Sequence, residues 1–428
     1  MKGEVQTSPF FGLSLRKGNG MAPPSASQST TLDPTLRRDW VRFILLNFLF
    51  GFGFAIYSSV FQNYLNDVVH ATPWDLGRLE SIREIPGLLT ALTAGTLVAL
   101  AEARVAALGL LIAGVGIGLT GATTTYTPLI MMTVFWSIGF HLWAGMSSAI
   151  TLTLAKGRES GKHLGRISSI SAIATMAGLG LTLLLSHLLP KIGVSPLHLY
   201  QGSFALGGFC ILMAALLCSK LSHHARGATR ASIIFRKEYG LFYFLTFLEG
   251  VRRQIFSIFA SYVLIKVYKI PLDKMLILQF LNYILISLSA PTMGRIVDRK
   301  GERGPLTIYA VGLIVVFVGY AVSHSVAILC LLFILDNVLF TFGVGFTTYL
   351  HRIVRPNELT PCLNMGVTMN HIAAVTVPVG GAWLWQHYDN YHIPFWIGVG
   401  VACISLCATR LLPVGAKEKI AEASVSLS

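Results

Sequence analysis

From Trp40 onward the chain alternates long apolar runs with short polar breaks. A helix that crosses a bilayer needs about 20 mostly apolar residues. Twelve runs approach that length: 41–65, 76–98, 105–122, 128–150, 167–188, 199–219, 240–265, 274–293, 305–323, 326–349, 362–386 and 393–412. Some breaks are very short, such as TTTYT at 123–127. The longest internal break, KLSHHARGATRASIIFRKEY at 220–239, falls between the sixth and seventh runs. A faint repeat supports a division there: LGRISSISAIATMAG at 164–178 lies over MGVTMNHIAAVTVPV at 365–379, with Gly165 opposite Gly366. The pattern predicts an all-α integral membrane protein. Its parts are a disordered Ser/Thr/Pro/Gly-rich tail (1–37), a six-helix half (38–219), a central loop (220–239), a second six-helix half (240–412) and a short tail (413–428). Two related six-helix halves are the plan of transporters whose site lies between the halves near mid-membrane.

Composition agrees. Of 428 residues, 54% are hydrophobic and 12% charged, and the mean hydropathy is +0.65. Soluble domains are about 25% charged, so a soluble enzyme, a disordered chain and a disulfide-rich secreted domain are all poor fits. The six cysteines lie in or beside apolar runs without a CxxC pair, which points to packing rather than a structural disulfide. The net charge of +14 takes its meaning from where it lies. Twenty-five of the 33 Lys and Arg residues fall in the N-terminal tail and the start of the first run, the central loop, every second break between runs and the C-terminal end. That bias predicts both termini on the cytoplasmic side and an even number of spans. The basic loops lack interleaved aromatics, so nucleic acid is not an expected partner; the bilayer is. No Gly-x-x-x-x-Gly-Lys-Ser/Thr loop, HExxH or GxSxG motif occurs, so neither ATP-driven pumping nor an enzyme activity is expected, and no cofactor is implied.

Between the eighth and ninth runs the chain reads GRIVDRKGER, with Gly294, Asp298, Arg299, Gly301 and Arg303 at fixed spacing. This resembles the signature loop of the major facilitator superfamily, Gly-x-x-x-Asp-Arg-x-Gly-Arg-Arg. The first-half counterpart, GTLVALAEAR, keeps Gly95 but has Ala99 at the carboxylate position, with Glu102 and Arg104 close by. The resemblance implies the superfamily fold, a small-molecule or ion substrate moved by alternating access, and a loop that latches one conformation. Three segments, LGRLESIREIPGLL at 76–89, FLEGVRRQIF at 247–256 and MGVTMNHIAAV at 365–375, resemble a bacterial branch that includes magnetosome-membrane permeases. That resemblance implies iron handling during magnetite formation, in the inner membrane or an organelle membrane derived from it.

Ionisable groups in a bilayer core cost at least about 2.5–3.5 kcal/mol each, so those inside the runs are the default functional candidates. In the seventh run Glu249 is followed at i+3 and i+4 by Arg252 and Arg253, either of which can reach its carboxylate. Asp336 and Asn337 lie near mid-depth in the tenth run. Asp336 has no helical counter-charge, which leaves either proton coupling or an ion pair with Arg252 or Arg253. Asn370 and His371 in the eleventh run and His141 in the fourth add polar groups. Each histidine is either a hydrogen-bonded packing residue or a ligand, and Glu249, Asp336, His371 and His141 form a candidate O/N set for divalent iron. In the second run Glu80, Arg83 and Glu84 share a face just before Pro86 and read as an outer gate or ion-pair network. The expected function is a proton-coupled secondary transporter, with iron as the leading cargo. The alternatives are an organic-anion permease, favoured by the arginine pair, and a non-transporting assembly factor or sensor that binds other membrane proteins.

Overall fold

A computed structural model of the chain describes residues 34–93, 102–155, 160–222, 235–355 and 358–413. Among these residues the fold is helical throughout. The first half contains α1 (Pro34–Asp67), α2 (Pro73–Thr93), α3 (Glu102–Thr120), α4 (Tyr126–Ala155), α5 (Ser160–Leu188) and α6 (Pro196–Ser219). In the second half α7 (Gly240–Gln254) passes through a π turn, Ile255–Ala260, into α8 (Ser261–Lys266). Then come α9 (Leu272–Lys300) and α10 (Arg303–Val322). Next, α11 (Val326–Leu339) passes through a 3₁₀ turn, Phe340–Gly343, into α12 (Val344–Ile353), and α13 (Leu359–Tyr388) and α14 (His392–Thr409) follow. Nine of the described helices are long and apolar enough to cross a membrane. Their outer faces carry exposed apolar side chains such as Met131, Ile308, Leu331 and Leu288, as lipid contact requires.

Among the described residues each apolar run is helical, and the differences lie at the ends. Helix α1 starts at Pro34, inside the stretch expected to be tail. Proline suits the first helical turn. Trp40 anchors this extension: its indole N–H donates to the Leu154 carbonyl at 3.2 Å, and its ring stacks on His163 with centroids 4.5 Å apart. The signature segment is also more helical than a loop. Gly294, Asp298 and Arg299 lie within α9, and the turn comes at Gly301, whose φ of +75° ends the helix. The Gly301 N–H donates to the Val297 carbonyl at 2.9 Å. Asp298 and Arg299 are exposed, and Arg303 opens α10. Neighbouring Glu302 is buried and pairs with Arg352 of α12 at 2.9 Å. Gly95 and Ala99 lie outside the described residues.

Within the first half α1 packs on α5 and α6, and α3 on α4 and α6. Backbones touch where α1 meets α6: a Cβ on Gly53 would lie 2.5 Å from the Gly207 carbonyl oxygen. Small residues at such crossings let helices approach in lipid, where apolar burial alone cannot hold them together. Within the second half α10 packs on α14, and α7 on α13 and α14. The halves meet along two seams, α2 against α13 and α5 against α9.

Candidate functional site

The α2–α13 seam brings three ionisable side chains together from three helices. Glu84 (α2) points Oε2 at Nδ1 of His371 (α13), 3.3 Å away, and at Nε2 of His141 (α4), 3.9 Å away. One donor atom from each residue lies within 4.8 Å of the other two. The imidazoles are 5.2 Å apart and nearly edge to face. Gly87, one turn beyond Glu84, lies against both rings: a Cβ there would overlap His141 Nε2 and crowd His371 Cε1. Only a residue without a side chain lets the α2 backbone approach this closely.

The surrounding groups fix how these donors face. Nδ1 of His141 lies 2.9 Å from the Ser137 carbonyl oxygen, which can only accept, so Nδ1 carries the proton and Nε2 presents its lone pair toward Glu84. The Ser137 hydroxyl donates to the Arg83 carbonyl at 2.5 Å and ties α4 to α2. Arg83 bridges Glu80 at 2.6 Å and Glu84 Oε1 at 3.0 Å, so Glu84 has one oxygen on a cation and one on the histidines. Its guanidinium lies 6.0 Å from the Trp136 ring centroid. His371 Nδ1 is buried yet makes no hydrogen bond of good geometry, and neither do Tyr57 Oη, Thr133 Oγ1 and Trp136 Nε1.

A second charged group lies wholly within the second half. Arg252 (α7) is 2% exposed and clamped between two carboxylates. Its Nη1 lies 3.0 Å from both oxygens of Asp336 (α11), and its Nη2 lies 2.7 Å from Glu249 Oε1. The Tyr309 hydroxyl (α10) donates to Glu249 Oε2 at 2.6 Å. The guanidinium also sits over Phe340 at 5.2 Å and Tyr309 at 5.4 Å. A buried charge needs such complete partnering, because removing one member leaves another uncompensated. Both rods leave α geometry beside this clamp, in the π turn after Gln254 and the 3₁₀ turn that begins at Phe340. Breaks of this kind often accompany functional positions. Arg253, one residue on, is exposed and contacts only the Phe340 ring at 5.5 Å among these groups.

The candidate residues therefore divide differently from the sequence expectation. Glu249, Asp336, His371 and His141 do not gather as one donor set, because Arg252 takes up both carboxylates. Glu84, expected at a gate, joins the two histidines instead. Glu80 and Arg83 pair as their i, i+3 spacing suggests. Asn337 and Asn370 turn back onto their own helices, donating to Phe333 and Gly366 carbonyls. Sequence reasoning missed Gly87, Ser137 and Tyr309. Gly87 had a weak signal, a glycine one turn from an intramembrane carboxylate; a serine and a tyrosine in apolar helices carry none.

Near one end of the bundle the halves are joined across the middle. The Tyr262 hydroxyl and the Lys266 ammonium both donate to the Ala71 carbonyl, at 2.6 and 3.0 Å, and the Val379 N–H donates to Ser81 Oγ at 3.0 Å. A cavity of about 400 Å³ lies at the same end, between Asn66 and Asp67 of one half and Lys269 and Asp273 of the other. At the opposite end, among the described residues, polar contacts run within a half, as in Arg42 to the Lys220 carbonyl (2.6 Å) and Arg236 to Glu358 (2.7 Å).

Solved structures share this architecture. The nucleoside transporter NupG superposes with a TM-score of 0.71 at 14% identity, over 89% of this chain and 99% of that one. A D-xylose–proton symporter gives 0.65 at 16%, over 88% and 98%. A bacterial homologue of the iron transporter ferroportin, in an inward-facing state, gives 0.66 at 14%, over 88% and 99%. At these identities the likeness establishes the fold alone. Among curated proteins no match to the chain was found. The family model described as Major Facilitator Superfamily matches residues 43–359, from α1 to the start of α13, and so takes in the first six helices, the second half as far as α12 and the signature segment between α9 and α10. With apolar helices of spanning length, two helical bundles joined along paired seams, and that match, the chain is an integral membrane protein that belongs to the Major Facilitator Superfamily.

Proposed function

We propose that this member is a secondary active transporter that moves a small polar solute or ion by alternating access, with proton coupling. In this reading all twelve rods cross the membrane, both termini face the cytoplasm, and the membrane is the bacterial inner membrane or one derived from it. The observation that carries the proposal is the Glu84–His141–His371 group, whose members come from α2 and α4 of one half and α13 of the other. A site shared by both halves is remade whenever the halves rock, which is what a transport cycle needs. Histidine is the side-chain type that most readily takes up and releases protons near neutral pH, and a pair of them at the seam suits proton coupling. Positive charge in alternate loops supports the orientation. The named neighbours are a nucleoside transporter, a D-xylose–proton symporter and a bacterial homologue of an iron transporter, all names that point to small hydrophilic cargo. Iron, implied by the resemblance of the segments at 76–89, 247–256 and 365–375, remains the leading cargo. The organic-anion reading is weakened, since Arg252 is already held by two carboxylates.

Purified protein in liposomes tests this. Uptake should respond to an imposed pH gradient for at least one member of a panel of ferrous iron, manganese, a nucleoside, xylose and a carboxylate. Absence of flux for every member, together with stable capture of partner membrane proteins, would replace the transporter by a scaffold or sensor.

A further inference from the structure

We infer that Glu84, His141 and His371 form a binding site for a divalent first-row transition-metal ion at the seam between the halves. The inference rests on the transport reading only in treating that ion as cargo; the site itself stands on geometry.

Two imidazole nitrogens and one carboxylate oxygen are a borderline donor set that suits such ions and leaves positions open for water. Around a metal bound at about 2.0–2.2 Å, neighbouring donors lie roughly 3–3.5 Å apart. Here Glu84 Oε2 is 3.3 Å from His371 Nδ1 and 3.9 Å from His141 Nε2, and all three donors lie within 4.8 Å of one another, so side-chain rotations that draw the imidazoles together close the set around one ion. Three further features favour an ion over a bare hydrogen-bonded trio. His141 gives its Nδ1–H to the Ser137 carbonyl, the outer-shell contact that orients metal-binding histidines and frees the other nitrogen. His371 Nδ1 is buried at the gap, and its contact with Glu84 Oε2 at 3.3 Å lies outside good hydrogen-bond geometry. Charge is also in place: Glu80 compensates Arg83 at 2.6 Å, so the Glu84 carboxylate remains to meet the dication, with Oε1 restrained by Arg83 and Oε2 free to ligate.

The test uses tag-free, full-length protein in detergent with Co(II) as probe, followed by visible absorption and titration calorimetry. The expected result is one Co(II) per chain with ligand-field bands of N/O coordination. His141→Ala, His371→Ala and Glu84→Gln should each weaken binding at least about tenfold. Gly87→Ala is the sharper variant. It removes no donor and favours the helix, yet its Cβ would displace both imidazoles, so it too should lose about 10–100-fold while remaining monodisperse. Failure of folded wild-type protein to bind Co(II), or equal binding by all four variants, overturns the site. The two readings fail separately. Co(II) binding without uptake of any solute leaves the site and removes the transporter. Uptake driven by a pH gradient without Co(II) binding does the reverse.

Discussion

Glu358, just before α13, accepts a hydrogen bond from the Tyr239 hydroxyl at 2.6 Å and an ion-pair hydrogen bond from Arg236 at 2.7 Å. The tyrosine hydroxyl, and then the guanidinium, hold its carboxyl below the ordinary carboxylate range. In the unfolded chain the same group protonates at its ordinary pKa, near 4.3. The folded state therefore binds fewer protons in that window, and the contribution to stability is complete above the ordinary pKa and disappears as pH falls through the lower, folded one. The melting temperature in detergent should drop between about pH 5 and 3 by more in the parent than in Glu358→Gln. Parallel profiles would remove Glu358 from the acid response. Glu84, His141 and His371 were each candidates in the sequence, but neither their grouping nor the partners of Glu358 could be read there, and the reason is the same. Tyr239 lies 119 positions from Glu358, and His371 comes to Glu84 only because α13 runs along α2. By contrast, the Glu80–Arg83 and Glu249–Arg252 pairs follow from helical spacing alone, and both are present at 2.6 and 2.7 Å.

Among elements, the Arg252 clamp is the polar knot that ties α7 to α10 and α11. The apolar pattern located these rods well, because run length reports directly on the need to fill a bilayer with hydrogen-bonded backbone. It did not show the π and 3₁₀ turns, whose residues IFSIFA and FTFG are as apolar as the helix on either side. Nor did it show which arginine meets Asp336. Successive residues point about 100° apart on a helix, and only the packing of α7 against its neighbours turns Arg252 inward and leaves Arg253 exposed. If the clamp holds the three helices, Arg252→Met should be costly, at about 3–5 kcal/mol, because two carboxylates lose their shared cation in a buried site. Adding Glu249→Gln and Asp336→Asn to the same chain should recover most of that loss. Thermal unfolding midpoints in one detergent compare the variants. A triple variant as unstable as Arg252→Met alone would mean that α7 is held by packing and not by the ion triad.

For the whole molecule, the joined end is what would distinguish this conformer from the other state of the proposed alternating-access cycle. The α2–α13 seam closes there because Gly77 has no side chain: a Cβ would overlap that of Ala382 and lie 2.5 Å from the Pro378 carbonyl oxygen. Here the obstacle is backbone and a packed methyl, not the movable tip of a long side chain, so a larger residue cannot be absorbed locally. Gly77→Leu should therefore force the seam apart at this end and shift the population toward conformers open on that side, because any group tolerated by only one state biases the equilibrium by its differential fit. Asn66 and Asp273 line the cavity there from opposite halves and make suitable reporters. With spin labels at those two positions in a cysteine-free background, the distance distribution should move to longer values in Gly77→Leu, with Gly77→Ala between it and the parent. Both variants should slow pH-gradient-driven uptake, since a cycle needs both states within reach. An unchanged distribution in a folded Gly77→Leu protein would mean that the seam yields by local repacking, and that the halves do not move as rigid bodies about it.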